Sequence, residues 1–331
     1  MSVTTRTVSE DEADIRLDRW FRRHFPALTQ GAIQKFCRTG QVRIDGRRVE
    51  AATRLAPGQA VRIPPLPAGP PPPRVMLPDA ETRQELERMV LYRDEHLIVL
   101  NKPFGLPVQG GPGIFRHLDK MLDGLRFESA ERPRLVHRLD RDTSGVLVLA
   151  RTPGAAAKLA AGFRGREVQK LYWAMVAGLP VPLQGRIDLD LARTGRPGDR
   201  IAAAGADAAG AVRAITDYRT VDHAGGKLAW LALEPLTGRT HQLRVHCAAL
   251  GTPIVGDARY GAERNTDERG VRNTAMVEGL SGRLHLHARR LVLPHPAGGV
   301  LQAEAELPAH MRETFRMLGF AAPAAQPPCR R

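Results

Sequence analysis

The stretch LVHRLDRDTSGVLVLA, residues 135–150, sets two arginines and two aspartates within five residues, directly against an apolar run of β-formers. Val146 to Ala150 has the length and composition of a buried strand, and Thr143-Ser144-Gly145 supplies the turn that feeds it. His137 to Asp142 is therefore expected on a loop at a strand's edge, where a rigid sheet holds a side chain in place. A carboxylate flanked by Arg138 and Arg141 stays ionised, because neighbouring positive charge favours the anion. Such an anion serves as nucleophile, as base, or as stabiliser of an oxocarbenium-like centre. Asp140 and Asp142 equally suit capping of the turn and pairing with the arginines, and these residues alone leave both readings open.

Around this stretch, from about Arg83 to Ala309, short β-like runs (LIVLN, VLVLA, LYWAMVAG, LAWLALEPL, ARRLVLPHP) alternate with two or three helix-like segments, without a repeated βαβ rhythm. The pattern predicts an α+β domain on a mixed, largely antiparallel sheet. Within it, LEPLTGRTHQLRVHCAALG, 233–251, reads as a strand ending at Leu236, a Thr237-Gly238 turn, and a helix carrying Leu243, His246, Cys247 and Leu250 at helical spacing up to Gly251. Arg239 falls just before that helix and Arg244 one turn inside it. A helix start beside an arginine suits an anion, whether phosphate or the Asp140 carboxylate. In VQKLYWAMVAG, 168–178, Lys170 and Tyr172 share one side of a strand. Tyr172 there suits either a core position or a base-stacking one.

The chain carries a formal net charge of +14, and an isoelectric point near 10.7, over 331 residues. Excess Arg and Lys is what phosphate polymers select, although a GC-rich genome also raises Arg and Ala, so the distribution of charge must decide. From Arg16 to Arg48 the basic residues are Arg16, Arg19, Arg22, Arg23, Lys35, Arg38, Arg43, Arg47 and Arg48, against only Asp18 and Asp45. The apolar residues of this patch keep helical spacing, first Leu17, Trp20, Phe21 and Phe25, then Ile33, Phe36 and Cys37 up to Gly40. QVRIDGRRV then predicts a hairpin turning at Asp45-Gly46, and VRI at 61–63 a further strand. This order resembles the S4 RNA-binding module, in which the second helix and the following turn present basic side chains to structured RNA. The resemblance implies RNA contacts at Arg16, Lys35, Arg38, Arg43, Arg47 and Arg48.

The expected division is a flexible N-terminus over 1–15, the S4-like unit over 16–63, a stiff proline-rich tether (PPLPAGPPPPR) within 64–82, a catalytic domain over 83–312 and a tail over 313–331 that is disordered at its end. IAAAGADAAGA, 201–211, reads as a surface loop. Cys37, Cys247 and Cys329 have no C-x-x-C spacing and suggest neither disulfides nor zinc. The first residues lack the apolar stretch of a signal peptide and no later run matches a membrane span, so a cytoplasmic protein is expected. With no heptad pattern left over, a monomer is expected.

Taken together, HRLDRDTSG (137–145), VLNKPFGLPVQGG (99–111), K-x-Y at 170–172, TGRTHQLRVH (237–246) and LHLHARRL (284–291) resemble, in content and order, the RluA-type pseudouridine synthases. The S4-like unit and the GG-containing N-K-P segment are most similar to the RluC branch, which acts on large-subunit ribosomal RNA. The resemblance implies that Asp140 is the essential carboxylate and that Arg138 accompanies a flipped-out nucleotide. It also implies that Tyr172 packs on the target base, that Arg244 pairs with Asp140 with Arg239 as second choice, and that Leu286 closes the pocket. Gln109 departs from the His frequent in the branch. The implied isomerisation needs no cofactor, in keeping with the lack of G-x-x-x-x-G-K-[ST] and strand-linked G-x-G-x-x-G patterns. His241, His246, His285 and His287 come without an acidic partner set, and no metal is expected. The alternative is a non-catalytic ribosomal-RNA-binding assembly factor.

Overall fold

A computed structural model of the chain describes residues 3–25, 28–66, 78–111, 113–165, 167–194, 201–204, 210–261 and 278–330. The N-terminal unit runs β1 (Thr4–Thr7), α1 (Leu17–His24), α2 (Gln30–Arg38), β2 (Arg43–Ile44), β3 (Arg47–Arg48) and β4 (Ala60–Ile63). Its helices bury Leu17, Trp20, Phe21, Ile33 and Cys37, the apolar positions read from the sequence. Asp45 and Gly46 turn the hairpin with φ of 48° and 78°, both left-handed as a tight two-residue turn requires. The sheet order is β1-β4-β2-β3. Of the lead expected to be flexible over 1–15, residues 3–15 are therefore not simply flexible. The β-branched Thr4–Thr7 segment pairs antiparallel with β4, and buried Glu12 accepts the Trp20 indole N–H at 2.9 Å.

Of the tether expected over 64–82, residues 67–77 lie outside the described residues, and its end is helical. α3 (Ala80–Arg88) starts at Asp79, whose side chain accepts the Thr82 N–H at 2.7 Å. Then come β5 (Val90–Arg93), β6 (Leu97–Lys102), α4 (Leu118–Met121), β7 (Arg134–Leu135), β8 (Ser144–Ala150), α5 (Pro153–Gly165) and β9 (Gln169–Ala177). They are followed by β10 (Gln184–Arg193), β11 (Ile201–Ala204), β12 (Val212–Ala224), β13 (Leu228–Pro235), α6 (Gln242–Ala249), β14 (Leu286–Pro294), β15 (Val300–Glu304), α7 (Ala309–Leu318) and β16 (Cys329–Arg330). The main path of the sheet is β11-β10-β12-β13-β9-β14-β8-β6-β5, with β7 on β8 and β15 between β14 and β16. Among the described residues, β8–β14 is the parallel pair and the rest are antiparallel, which is the mixed α+β sheet expected.

β8 is buried along its whole length because both faces are covered. Leu147 and Leu149 face one core with Ile98 and Leu100, while Val146 and Val148 face another with Leu97 and Val99. A strand sandwiched in this way reads as a continuous apolar run rather than an alternating one.

Three expectations are corrected at the periphery. Ile201–Ala204, placed in a surface loop, forms strand β11 on β10, while 205–209 lie outside the described residues. The boundary at 312 falls inside α7, whose Met311 and Phe315 pack with Trp173 and Trp230. The tail, expected to be disordered at its end, docks there: Phe320 is buried, Ala325 N–H donates to the Glu306 carboxylate at 2.6 Å, and β16 pairs with β15.

Gly145 carries the close approach of β8 to β14. It has φ of 111°, and a Cβ there would lie 2.2 Å from the Ala288 carbonyl oxygen. Gly145→Ala is expected to cost about 3 kcal/mol or more through strain and overpacking. Denaturant unfolding of the variant against wild type measures it.

Candidate active site

Asp140 lies on the loop between β7 and β8, where the Thr143 N–H donates to the Asp140 carbonyl at 3.2 Å and opens the turn into β8. Several interactions hold this loop. The Lys102 amine, wholly buried at the end of β6, donates to the carbonyls of Pro103, Leu106 and Arg141, each at 2.9 Å. Burial lowers this amine to about 7, and the charges of Asp142 and Asp140 act in the opposite direction. Three carbonyl acceptors match the three hydrogens of an ammonium, so the geometry is built for the cation. The His137 ring accepts the Val148 N–H on Nε2 at 2.9 Å and stacks on Phe163 at 4.2 Å between centroids. Burial, and secondarily the charge of Lys170, lowers this imidazole to about 3, so it braces the loop as a neutral ring. Arg141 is taken up by Asp142, with Nε 3.0 Å from Oδ1.

Tyr172 enters from β9, opposite Ala288 of β14 and Leu233 of β13. Burial, then the charge of Asp140, raises its phenol, which therefore stays protonated. The third wall is the turn into α6. The Gln242 side chain closes it, accepting from Thr237 Oγ1 at 2.7 Å and from the Arg239 N–H at 3.0 Å while donating to the Ile215 carbonyl and Thr216 Oγ1, both at 2.9 Å. His241 then adopts a left-handed φ of 54°, which costs a side chain about 1 kcal/mol. Its Nδ1 is hydrogen-bonded to the Tyr260 hydroxyl at 2.8 Å, and its Nε2 lies 3.9 Å from Asp140 Oδ2.

Arg244 is engaged elsewhere than expected. Its Nε and Nη2 donate to the two oxygens of Asp257 at 2.8 and 2.7 Å, with the guanidinium over the Tyr260 ring. The Asp257 carboxylate, wholly buried, also accepts the N–H groups of Arg259 and Tyr260. Burial alone would raise this carboxyl, but the Arg244 hydrogen bonds and charge, with the two amides, outweigh it and hold the group below its ordinary range.

These walls enclose a cleft of about 510 Å³ whose lining includes Arg138, Arg164, Lys170, Tyr172, Arg239, His241, Arg244 and Leu286. Among the described residues that line it, Asp140 is the one carboxylate. A single anion ringed by cations, beside an aromatic ring, suits a negatively charged polymer carrying a planar base.

The RNA pseudouridylate synthase family model matches residues 96–249, and the S4 domain model residues 15–61. The chain is 34% identical over 325 residues to the ribosomal large subunit pseudouridine synthase C of Vibrio cholerae, an alignment that covers 93% of this chain and 94% of the relative. It is 33% identical over 384 residues to RNA pseudouridine synthase 4, mitochondrial, of Arabidopsis thaliana, covering 94% and 80%. The solved human RNA pseudouridylate synthase domain containing 4 superposes with a TM-score of 0.59 at 31% identity, over 73% of this chain and 97% of that one.

The chain belongs to the RNA pseudouridine synthases.

In this pseudouridine synthase, Asp140, Arg138, Tyr172, Arg239, Arg244 and Leu286, singled out from the sequence, all line one cleft. The ion pair expected between Arg244 and Asp140 is replaced by the Arg244–Asp257 pair. Arg239 does not substitute for it, since its Nε donates to the Arg213 carbonyl at 3.2 Å. Arg138 donates to Thr240 Oγ1 at 3.0 Å. The basic residues of the S4 unit lie apart from the cleft: Lys35, Arg38, Arg47 and Arg48 are exposed, Arg16 pairs with Asp18 at 2.7 Å, and Arg43 reaches the Gly40 and Gly46 carbonyls. Among the described residues no cluster of three or more His, Cys, Asp or Glu side chains is placed to hold a metal, and no helix is long and apolar enough to cross a membrane.

Lys102, His241, Gln242 and Asp257 are supporting residues to which the sequence reasoning gave no role in this site. Lys102 sat in the N-K-P segment, and His241 and Gln242 in TGRTHQLRVH, both already quoted for their patterns, while Asp257 lay in none. Asp257→Ala is expected to cost roughly 3 kcal/mol, because it strands a buried guanidinium. Since the folded carboxyl is held below its unfolded value, the stabilisation is fully present above that unfolded value, near 4, and is lost as pH falls through the lower folded one. Urea unfolding of both proteins across pH 3 to 7 reads the difference narrowing at the acid end. Lys102→Met is expected to lower stability by about 2 kcal/mol by leaving the Pro103 and Leu106 carbonyls without their donor, the Arg141 carbonyl keeping the Gly105 N–H, and to slow turnover. Thermal denaturation and single-turnover kinetics measure the two effects.

Proposed function

We propose that this synthase isomerises specific uridines of large-subunit ribosomal RNA, working as a cytoplasmic monomer, with Asp140 as the essential carboxylate. The observation that carries the role of Asp140 is that it alone supplies negative charge to the cleft lining among the described residues. The large-subunit substrate is supported by the relatives of that name and by the S4 unit with its exposed basic residues. Pairing of Arg244 with Asp257 leaves Asp140 without an arginine partner within ion-pair distance among the described residues, so its charge is free to act on a substrate.

Conversion of uridine to pseudouridine breaks the bond from N1 to C1′, turns the detached uracil, joins C5 to C1′ and moves a proton from C5 to N1. No electron is lost and no group is added. Asp140 attacks C1′, removes the C2′ proton, or adds to C6 of the base; each route uses one ionised, positioned carboxylate and a pocket that retains the free base until it recombines. Tyr172 packs on that base, Leu286 closes the pocket, and Arg138 and Arg239 contact the extruded nucleotide. Extrusion costs a few kcal/mol of unstacking, offset by these contacts and by the phosphate contacts of the S4 unit through Arg16, Lys35, Arg38, Arg43, Arg47 and Arg48.

Asp140→Asn, which keeps the shape and removes the charge, is expected to lower pseudouridine formation on an unmodified large-subunit transcript by more than about a thousandfold while RNA binding persists. Pseudouridine mapping together with filter binding checks both halves. Full activity of the variant would remove Asp140 from the role. Wild-type enzyme that leaves the transcript unmodified would remove the substrate.

A further inference from the structure

The buried cations of the catalytic domain have acceptors: Lys102 has three carbonyls, Arg151 those of Asp94 and Arg126, Arg244 the Asp257 carboxylate, and Arg289 the carbonyls of Ala305 and Pro323. In the cleft, Arg164 is joined to Asp14, just ahead of the S4 match in the N-terminal unit, Arg138 to Thr240 and Arg239 to the Arg213 carbonyl. Lys170 is different. It lines the cleft from β9, half-buried, with no hydrogen-bond or ion-pair partner among the described residues. Burial lowers its amine below the usual lysine range, and no carboxylate compensates.

Its position separates it from the reaction centre. The charge of Asp140 bears on Lys102, Tyr172, His241 and Arg244, whereas the charge that His137 feels is that of Lys170. Lys170 is the second residue of β9, which starts at Gln169 shortly after α5 ends at Gly165, so it stands at the end of the strand next to Phe163 and Arg164, with Tyr172 further in. That end faces the S4 unit, because Asp14 binds Arg164 there and also Arg54, with Oδ2 3.1 Å from Nη1. His137, held neutral, neither repels an anion nor competes for one. An ammonium carrying a desolvation cost without a counter-charge gains most from an anionic ligand. The anion that RNA brings beside every nucleotide is the phosphodiester.

We propose that Lys170 is a phosphate-binding residue that grips a backbone phosphodiester flanking the extruded uridine, on the strand leaving the cleft toward the S4 unit. The proposal rests on the reading of the cleft as an RNA uridine site, and goes beyond it by giving the strand a direction. Tyr172, two residues along β9, then takes the base while Lys170 takes the backbone, so one strand of the sheet sets the spacing between them.

The test is binding of a five-nucleotide oligouridylate, too short to cover the cleft and the S4 unit together, to the full chain. It is followed through the amide resonances of residues 137–142 as salt is raised. Lys170→Met is expected to weaken binding about tenfold at low salt. It is also expected to flatten the plot of log K against log salt by about 0.7, the share of one phosphate on a single strand. Lys170→Arg is expected to keep the wild-type slope. Thermal stability of the Met variant is expected to hold or rise, since an uncompensated charge is removed. An unchanged slope in Lys170→Met overturns the proposal. So does a slower isomerisation of ribosomal RNA with unchanged slope, which would put the amine on the departing uracil instead. Because the slope is read on oligouridylate, a failure of wild-type enzyme to modify ribosomal RNA counts against the proposed substrate and leaves the slope as the measure of Lys170.

Discussion

Three carbonyls converge on the buried amine of Lys102, and the placing of the reactive carboxylate depends on that convergence. Two of them, from Pro103 and Leu106, belong to the segment leaving β6, and the third, from Arg141, to the loop that carries Asp140. A loop of polar residues beside a sheet has few apolar contacts to fix it, and hydrogen bonds to a charged donor are about twice as strong as neutral ones. The position of Asp140 is thus set from beneath by a cation and from the side by His137 bound to the backbone of β8.

The same economy governs the rest of the cleft. A carboxylate that is to act on a sugar or a base must be ionised without being spent on an ion pair. Here Arg141 is absorbed by Asp142 and Arg244 by Asp257, so neither guanidinium is spent on Asp140. Asp257 allows a guanidinium to be buried beside the reaction centre, at the cost of a second desolvated charge that its backbone amides help to offset.

Much of this was legible in the chain, for identifiable reasons. VLVLA announced a strand covered on both faces because nothing in it needed water, and Asp45-Gly46 announced a hairpin because few other pairs accept two left-handed residues. The cleft residues were legible through local patterns: H-R-L-D before a strand, K-x-Y along one, T-G-R before a helix. What escaped was long-range pairing. Asp257 is thirteen residues from Arg244, beyond any helical or strand period, and lies in a turn whose composition marks only a turn. The expectation that Arg244 meets Asp140 had no means of seeing this competitor. His241 escaped because its left-handed backbone is imposed by the Gln242 side chain closing the turn, a tertiary effect. At the periphery, Thr4–Thr7 and Ile201–Ala204 were read by composition as irregular, yet each found an open strand edge to pair with.

The C-terminal segment shows what such pairing accomplishes. Without it, β15 would present unpaired amides and carbonyls on its outer side, the arrangement through which sheets join one another between molecules. Cys329 lies against Gln302, the Glu304 and Glu306 carboxylates receive the amides of Gln326 and Ala325, and Arg289 donates to the Pro323 carbonyl. Residues rich in alanine and proline, which offer little to a core, thus serve as the selvedge of the sheet. They finish its border so that it does not fray into its neighbours.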